Sequence, residues 1–379
     1  MGSIQQNRSR KDGQRAGWRA MWVDHEAKQR SRTFARKHDA KKHLIAVEAD
    51  LLRGNYVDLR SGQVTLIQYA TSWMAAQVWR PSTRALAQSH LDSHIGPDLG
   101  DRKLAAITRT DVQGFVSGLT KKGLAPNTVR GIYVRLVSVF EAAVHDRKIA
   151  HSPAVKIQLP KVERTAASQV VVLDLDDVRR IADAAPPWLA AFTWAIATGG
   201  LRPGEAAGLT LERVDFMRRT ISVDRQLITP GKGSPHLAPP KTASSVRTIP
   251  VGDSLIAELN RHMREHEPVE LEAGATLLFT NRDGRPMRRN ALGESWGRLR
   301  SNLELPAEAR GWHSLRHTYA SWLIEAGLSV KTVQARLGHA SATETLEVYS
   351  HLWPDSDDDT RAAIESRLHD PVNPSAART

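Results

Sequence analysis

A chain of 379 residues has room for two or three domains at about 150 residues each. With 41% hydrophobic and 25% charged residues it reads as globular rather than disordered. Its net charge of +12 points to a polyanionic partner, and the absence of cysteine excludes disulfides, thiolate catalysis and Cys-ligated zinc.

Residues 1–60 carry 14 basic and 7 acidic side chains. The N-terminus, MGSIQQNRSRKDG, has no apolar core of the kind a secretory signal needs. Gly17–Val23 is rich in strand formers, Asp24–Arg30 reads as a polar turn and Ser31–Ala35 as a returning strand. Asp39 is the expected cap of a helix over Ala40–Leu52, with Leu44, Val47 and Leu51 on one side and Gly54 just past its end.

Residues 61–165 carry the same 14 basic and 7 acidic side chains and read as nearly all helix. Expected helices are Leu66–Val78, Pro81–Ser93, one from Asp111 capped by Thr110, and Val129–Asp146 opened by Pro126 and Asn127. Lys156–Ser168 is polar, contains Pro160 and reads as a linker.

Residues 166–379 carry 25 basic and 27 acidic side chains, so whatever site lies there is not a general basic surface. Leu173-Asp174 precedes a helix over Leu175–Ala185, and Trp188–Thr198 is a strongly apolar one. Thr220–Leu227 and Arg247–Val251 read as strands around a polar hairpin that carries Lys241. Several helices follow. Ala362, Ala363, Ile364 and Leu368 are spaced for a last helix over Arg361–Leu368, after the acidic run Asp355–Asp359, and the tail beyond Pro371 is expected to be disordered. No apolar run approaches the roughly 18 residues that span a bilayer, so nucleic acid in the cytoplasm is expected over a membrane surface.

Five pieces of this last region stand out: ATGGLRPGEAAGL with Arg202 after a glycine pair, PPKTASSVRTIPV with Lys241, GWHSLRHTYAS with His313 and Arg316, ARLGHAS with His339, and ETLEVYSHL with Tyr349. Cleaving a phosphodiester without a metal requires these side-chain types. Two guanidiniums clamp the charge spread over the non-bridging oxygens. A tyrosine oxygen attacks and stores the bond energy as an ester. A lysine protonates the departing oxygen, and a histidine either takes the tyrosine proton or hydrogen-bonds the phosphate. No dense Asp, Glu or His cluster has metal-ligand spacing, and no cofactor is expected. Lys232 is a nearby alternative to Lys241; His317 is read as a structural residue pointing away, and Trp312 as core.

The order Arg202, Lys241, His313-Ser314-Leu315-Arg316, Leu337-Gly338-His339 and Tyr349 resembles the tyrosine recombinases, of which phage integrases are the largest group. The resemblance covers about residues 170–352. It implies a multidomain protein: a small α+β arm-type DNA-binding domain over 1–60, an all-α, SAM-like core-binding domain over 61–165, and a mainly α catalytic domain with a small antiparallel sheet over 166–379.

It implies Arg202, Lys241, His313, Arg316, His339 and Tyr349 as catalytic residues, with Glu205 supporting them from behind. It further implies a homotetramer on double-stranded DNA, with the helical and catalytic domains clamping core sites and the first domain holding arm sites. Cleavage would pass through a 3′-phosphotyrosyl link without metal or ATP, and would integrate and excise a phage or other mobile element. An excision factor and a host DNA-bending protein would be accessory partners, and the acidic C-terminal segment would dock on a neighbouring protomer. Three alternatives stand beside this reading. A housekeeping recombinase usually lacks a segment like Gly17–Leu52, a type IB topoisomerase has a different domain layout, and a non-catalytic regulator would have lost an arginine or the tyrosine.

Overall fold

The computed structural model describes residues 2–8, 15–24, 27–53, 56, 61–161, 171–230, 233–272, 274–353 and 357–369. The chain divides into two compact units, Met1–Val162 and Glu163–Thr379.

The first unit opens with strands β1 (Ser3–Arg8), β2 (Arg15–Val23) and β3 (Gln29–Phe34), an antiparallel sheet with β2 in the middle. Helix α1 (Lys37–Leu52) lays Ala40, Leu44 and Val47 against Ala20 and Trp22. The Trp22 indole N–H, which needs a partner once buried, donates to Tyr56 Oη at 2.8 Å. The helix starts ahead of its expected cap. Arg36 holds the cap position without a side-chain bond, and Asp39 lies in the first turn, where its charge favours the helix dipole.

The rest of this unit is helical: α2 (Leu66–Ala75), α3 (Pro81–His90), which runs into a wider π-helical segment over Leu91–Gly100, α4 (Arg109–Lys121) and α5 (Pro126–His145). The cap of α4 is Thr108 and not Thr110: Asp111 N donates to Thr108 Oγ1 at 3.3 Å, and Thr108 N to Asp111 Oδ2 at 2.8 Å. A reciprocal pair satisfies two orphan donors, which a lone Thr110 would not. Leu66, Leu91, Ile95, Leu119, Ile132, Leu136 and Phe140 form the buried centre, a cluster distinct from that under the sheet.

The second unit begins with α6 (Leu175–Ala184), whose cap Asp174 accepts from Asp177 N at 2.7 Å, then α7 (Pro187–Gly199) and α8 (Pro203–Ala207). Strands follow: β4 (Val214–Asp215), β5 (Thr220–Val223), β6 (Gln226–Ile228), β7 (His236–Ala238) and β8 (Arg247–Pro250). Next come α9 (Asp253–Glu265), β9 (Val269–Glu272), β10 (Ala275–Leu277), α10 (Arg289–Asn302), α11 (His313–Glu325), α12 (Val330–Leu337), α13 (Ala342–Tyr349) and α14 (Asp357–His369).

The sheets are small and antiparallel: β4-β5-β8, β6-β7 and β9-β10. The expected single strand over 220–227 is two. The chain leaves β5 at Asp224, whose carboxylate binds Arg213 and Arg225 at 2.8 Å each, and resumes as β6 in another sheet. Ile221 faces Ile249 across β5 and β8, and both are fully buried with Phe192, Ile196 and Leu315. Linker residues 162–168, Lys232, Asp355 and the tail from 370 lie outside the described residues. Among the described residues no helix is long and apolar enough to cross a membrane.

Candidate active site

Arg202 sits where α7 hands over to α8. Gly200 ends α7 at φ +61°, and a Cβ there would lie 2.3 Å from the Tyr319 ring, so the turn needs glycine for both conformation and space. Arg202 is the cap of α8, with Pro203 at the first helical position. Its backbone N–H donates to Glu205 Oε2 at 2.9 Å and its Nη1 to Glu205 Oε1 at 2.8 Å. Nη1 also reaches Ser245 Oγ, and Nη2 the Gly338 carbonyl, each at 3.3 Å.

Glu205 gathers more than one cation. Arg247 on β8 donates Nη2 to Oε2 at 2.8 Å and Nη1 to Oε1 at 3.2 Å, and Arg316 Nη1 lies 3.9 Å from Oε2. Burial alone would raise the Glu205 carboxyl, but the hydrogen bond and charge of Arg247, with the charge of Arg316, hold it below its ordinary value. Arg316, on α11 and 4% exposed, donates to the carbonyls of Gly200 and Leu337. Burial first and Arg202 second bring its pKa down to about 9, which leaves it charged at neutral pH. Arg202 and Arg316 are therefore brought together on Glu205. Three guanidiniums share one carboxylate, which leaves an excess of positive charge for an anion.

His339 follows Gly338, whose φ of +65° ends α12, and its Nδ1 lies 2.9 Å from Thr345 Oγ1. Burial, then Arg316, lowers its pKa to about 4. His313 opens α11; burial of its imidazole and then the charges of Arg316 and Arg202 lower its pKa. Lys241 lies on the exposed segment between β7 and β8. Its neighbour Thr242 binds Ser245 Oγ at 2.9 Å, and Ser245 accepts from Arg202, which ties that segment to the arginines. Tyr349 ends α13 with 1% exposure, among Tyr319, Ile324, Val333 and Leu337. Burial pushes its pKa up to about 12, against the pull of Arg316.

One expectation is corrected. His317 does not point away: its Nδ1 is 2.7 Å from Tyr349 Oη. His313, Arg316 and His317 stand at i, i+3 and i+4 on α11, so they share one helix face; that spacing was the available signal. Arg247 was also missed. It shares a strand side with the fully buried Ile249, two residues on, which placed its side chain inward. Trp312 is core, 4% exposed, its indole bound to the Leu292 carbonyl at 2.8 Å.

The model of the Phage integrase family matches residues 171–355, and that of the phage integrase N-terminal SAM-like domain matches residues 65–120. A tyrosine recombinase XerC-like protein of Caldanaerobacter subterraneus is 27% identical over 340 residues, covering 83% of this chain and 86% of that relative. Among solved structures, the Tn1549 transposon integrase in complex with a circular intermediate DNA aligns at TM-score 0.70 and 24% identity, covering 80% of this chain and 99% of that one. The lambda integrase tetramer bound to a Holliday junction aligns at TM-score 0.59 and 18% identity, covering 89% and 94%. The two structural likenesses show a shared fold.

Proposed function

The chain belongs to the tyrosine recombinase, or phage integrase, family, whose members cleave and rejoin DNA strands, and from that premise we propose that it is the site-specific integrase of a phage or other mobile element, with Tyr349 as its nucleophile. The observation that carries this reading is the joint anchoring of Arg202 and Arg316 on Glu205, with the Arg316 charge acting on Tyr349.

In this reading the scissile phosphate occupies the field of Arg202 and Arg316, whose forked donors hold its non-bridging oxygens. Tyr349 Oη attacks phosphorus as its O–H proton passes to water. The bond from phosphorus to the 5′ oxygen breaks, and Lys241 gives that oxygen a proton. A 3′-phosphotyrosyl ester and a free 5′ hydroxyl result. The 5′ hydroxyl of a partner duplex then reverses the step, and the ester supplies the bond energy. His313 and His339 border the phosphate as hydrogen-bonding groups.

Residues 61–165 act as the core-binding domain, supported by the SAM-like match, and residues 1–60 as the arm-binding domain, supported by their basic balance and the small sheet with its helix. Four protomers assemble on two sites, as the lambda relative does on its junction. An excision factor and a host DNA-bending protein assist, and the protein works on DNA in a bacterial cytoplasm.

The test is recombination in cells between two plasmids carrying the candidate attachment sites that flank the gene's element. Joined products that form with the wild-type protein and not with Tyr349→Phe support the proposal. Specific binding to both sites with no joined product from the wild-type protein would overturn it.

A further inference from the structure

The histidine bound to the nucleophile is none of those the sequence pattern supplies. His339 spends its Nδ1 on Thr345, and His313 stands at the start of α11. His317, one turn beyond His313, places its Nδ1 2.7 Å from Tyr349 Oη, with the two rings tilted by 58° and their centroids 5.7 Å apart. Resting on the reading of Tyr349 as nucleophile, we propose that His317 is a positioning residue: its Nδ1 accepts the Tyr349 O–H and fixes where the attacking oxygen stands.

Three observations support this. Tyr349 is almost fully buried, and a buried hydroxyl without an acceptor is costly, so its proton settles on the acceptor in reach. The positive charge of Arg316 also acts on the tyrosine, and a hydroxyl near a cation is favoured with its hydrogen turned away from it. Burial, with the charges of His313 and Arg316, drives the His317 pKa down to about 4, so at neutral pH the ring is uncharged and one nitrogen is free to accept. The bond also spans α11 and α13. The helix that carries the second arginine thereby sets the tyrosine at the end of the other, and clamp and nucleophile are placed by one element.

The experiment is single-turnover cleavage of a nicked core-site duplex at saturating protein, with DNA affinity and thermal unfolding measured alongside. His317→Phe fills the ring's space without an acceptor. His317→Asn puts an amide oxygen close to where Nδ1 stands. Cleavage by the Phe variant should fall by about tenfold or more, the worth of one aligned hydrogen bond, while DNA affinity holds. The Asn variant should recover to within about threefold of wild type, since it restores an acceptor with poorer geometry. If the Phe variant does not fold, Ala against Asn makes the same comparison.

Wild-type cleavage by the Phe or Ala variant, or an Asn variant as slow as they are, overturns the inference. Tyr349→Phe is run in parallel. No covalent product from the wild-type protein on its true site would remove the reading of Tyr349 itself. A product that vanishes in Tyr349→Phe and forms at full rate in the His317 variants would remove only the role of His317.

Discussion

Glu205 holds the site's arginines in place, and its removal should cost more than any single contact it makes. With Glu205→Gln, Arg247 and Arg316 keep their charges in buried positions without a counter-ion. A buried pair broken from one side costs about 3–5 kcal/mol. Urea unfolding should show a loss of that order, and an unchanged midpoint would refute the assignment. The histidines give a pH dependence. Burial holds His317 and His339 near 4, whereas in the unfolded chain they take up a proton at about 6.5. Between those values the unfolded state binds more protons than the folded one, so stability is present above about pH 6.5 and is lost as pH falls toward 4. His262 and His313 are lowered too and add in the same direction. The urea midpoint should fall across that window, and less steeply in His317→Asn. At this scale Arg202, Arg316 and Tyr349 were legible because the side-chain types that the chemistry calls for fall in the order of the family pattern, and Glu205 through that resemblance alone. His317 was not, because adjacency to Arg316 suggested another direction, while the partner that explains it arrives from α13, 32 residues on. Arg247 lies in a strand whose burial depends on contacts from α8 and α12 that no local pattern records.

Helices such as α2, α6 and α7 were legible because apolar spacing and an adjacent cap or proline mark them locally. Their starts were less so. Thr108 wins over Thr110 because Asp111 completes a reciprocal pair three residues on, and α1 begins without any side-chain cap. The break between β5 and β6 was hidden, since TISVDRQL alternates well enough for one strand and only the pairing of Asp224 with Arg213 and Arg225 turns the chain. Among the turns, the one at Gly200 gives the sharpest prediction. Gly200→Ala would put a methyl carbon 2.3 Å from the Tyr319 ring, in a left-handed conformation. Backbone strain and overpacking of that kind cost about 1–3 kcal/mol each. The turn also supplies a carbonyl to Arg316, so the variant should lose both thermal stability and cleavage. A variant as stable and active as wild type would show that the turn does not set the arginine.

Over the whole molecule, charge and chemistry are separated. The first 165 residues carry the basic excess, while the last 214, nearly balanced, hold the arginine cluster and the tyrosine. Binding to DNA should weaken steeply with salt, because each neutralised phosphate releases counterions. A protein lacking residues 1–60 should show a shallower slope of log affinity against log salt on DNA that carries arm and core sites, and equal slopes would argue against an arm-binding role. The central claim is that Tyr349 becomes covalently joined to DNA, and the most direct measurement is trapping on a nicked duplex that carries the core site, resolved on a denaturing gel beside Tyr349→Phe. A slow-migrating protein–DNA adduct from the wild-type protein that is missing from the variant is the predicted result. An adduct that persists in the variant, or binding at the true site with no adduct from either protein, would contradict it.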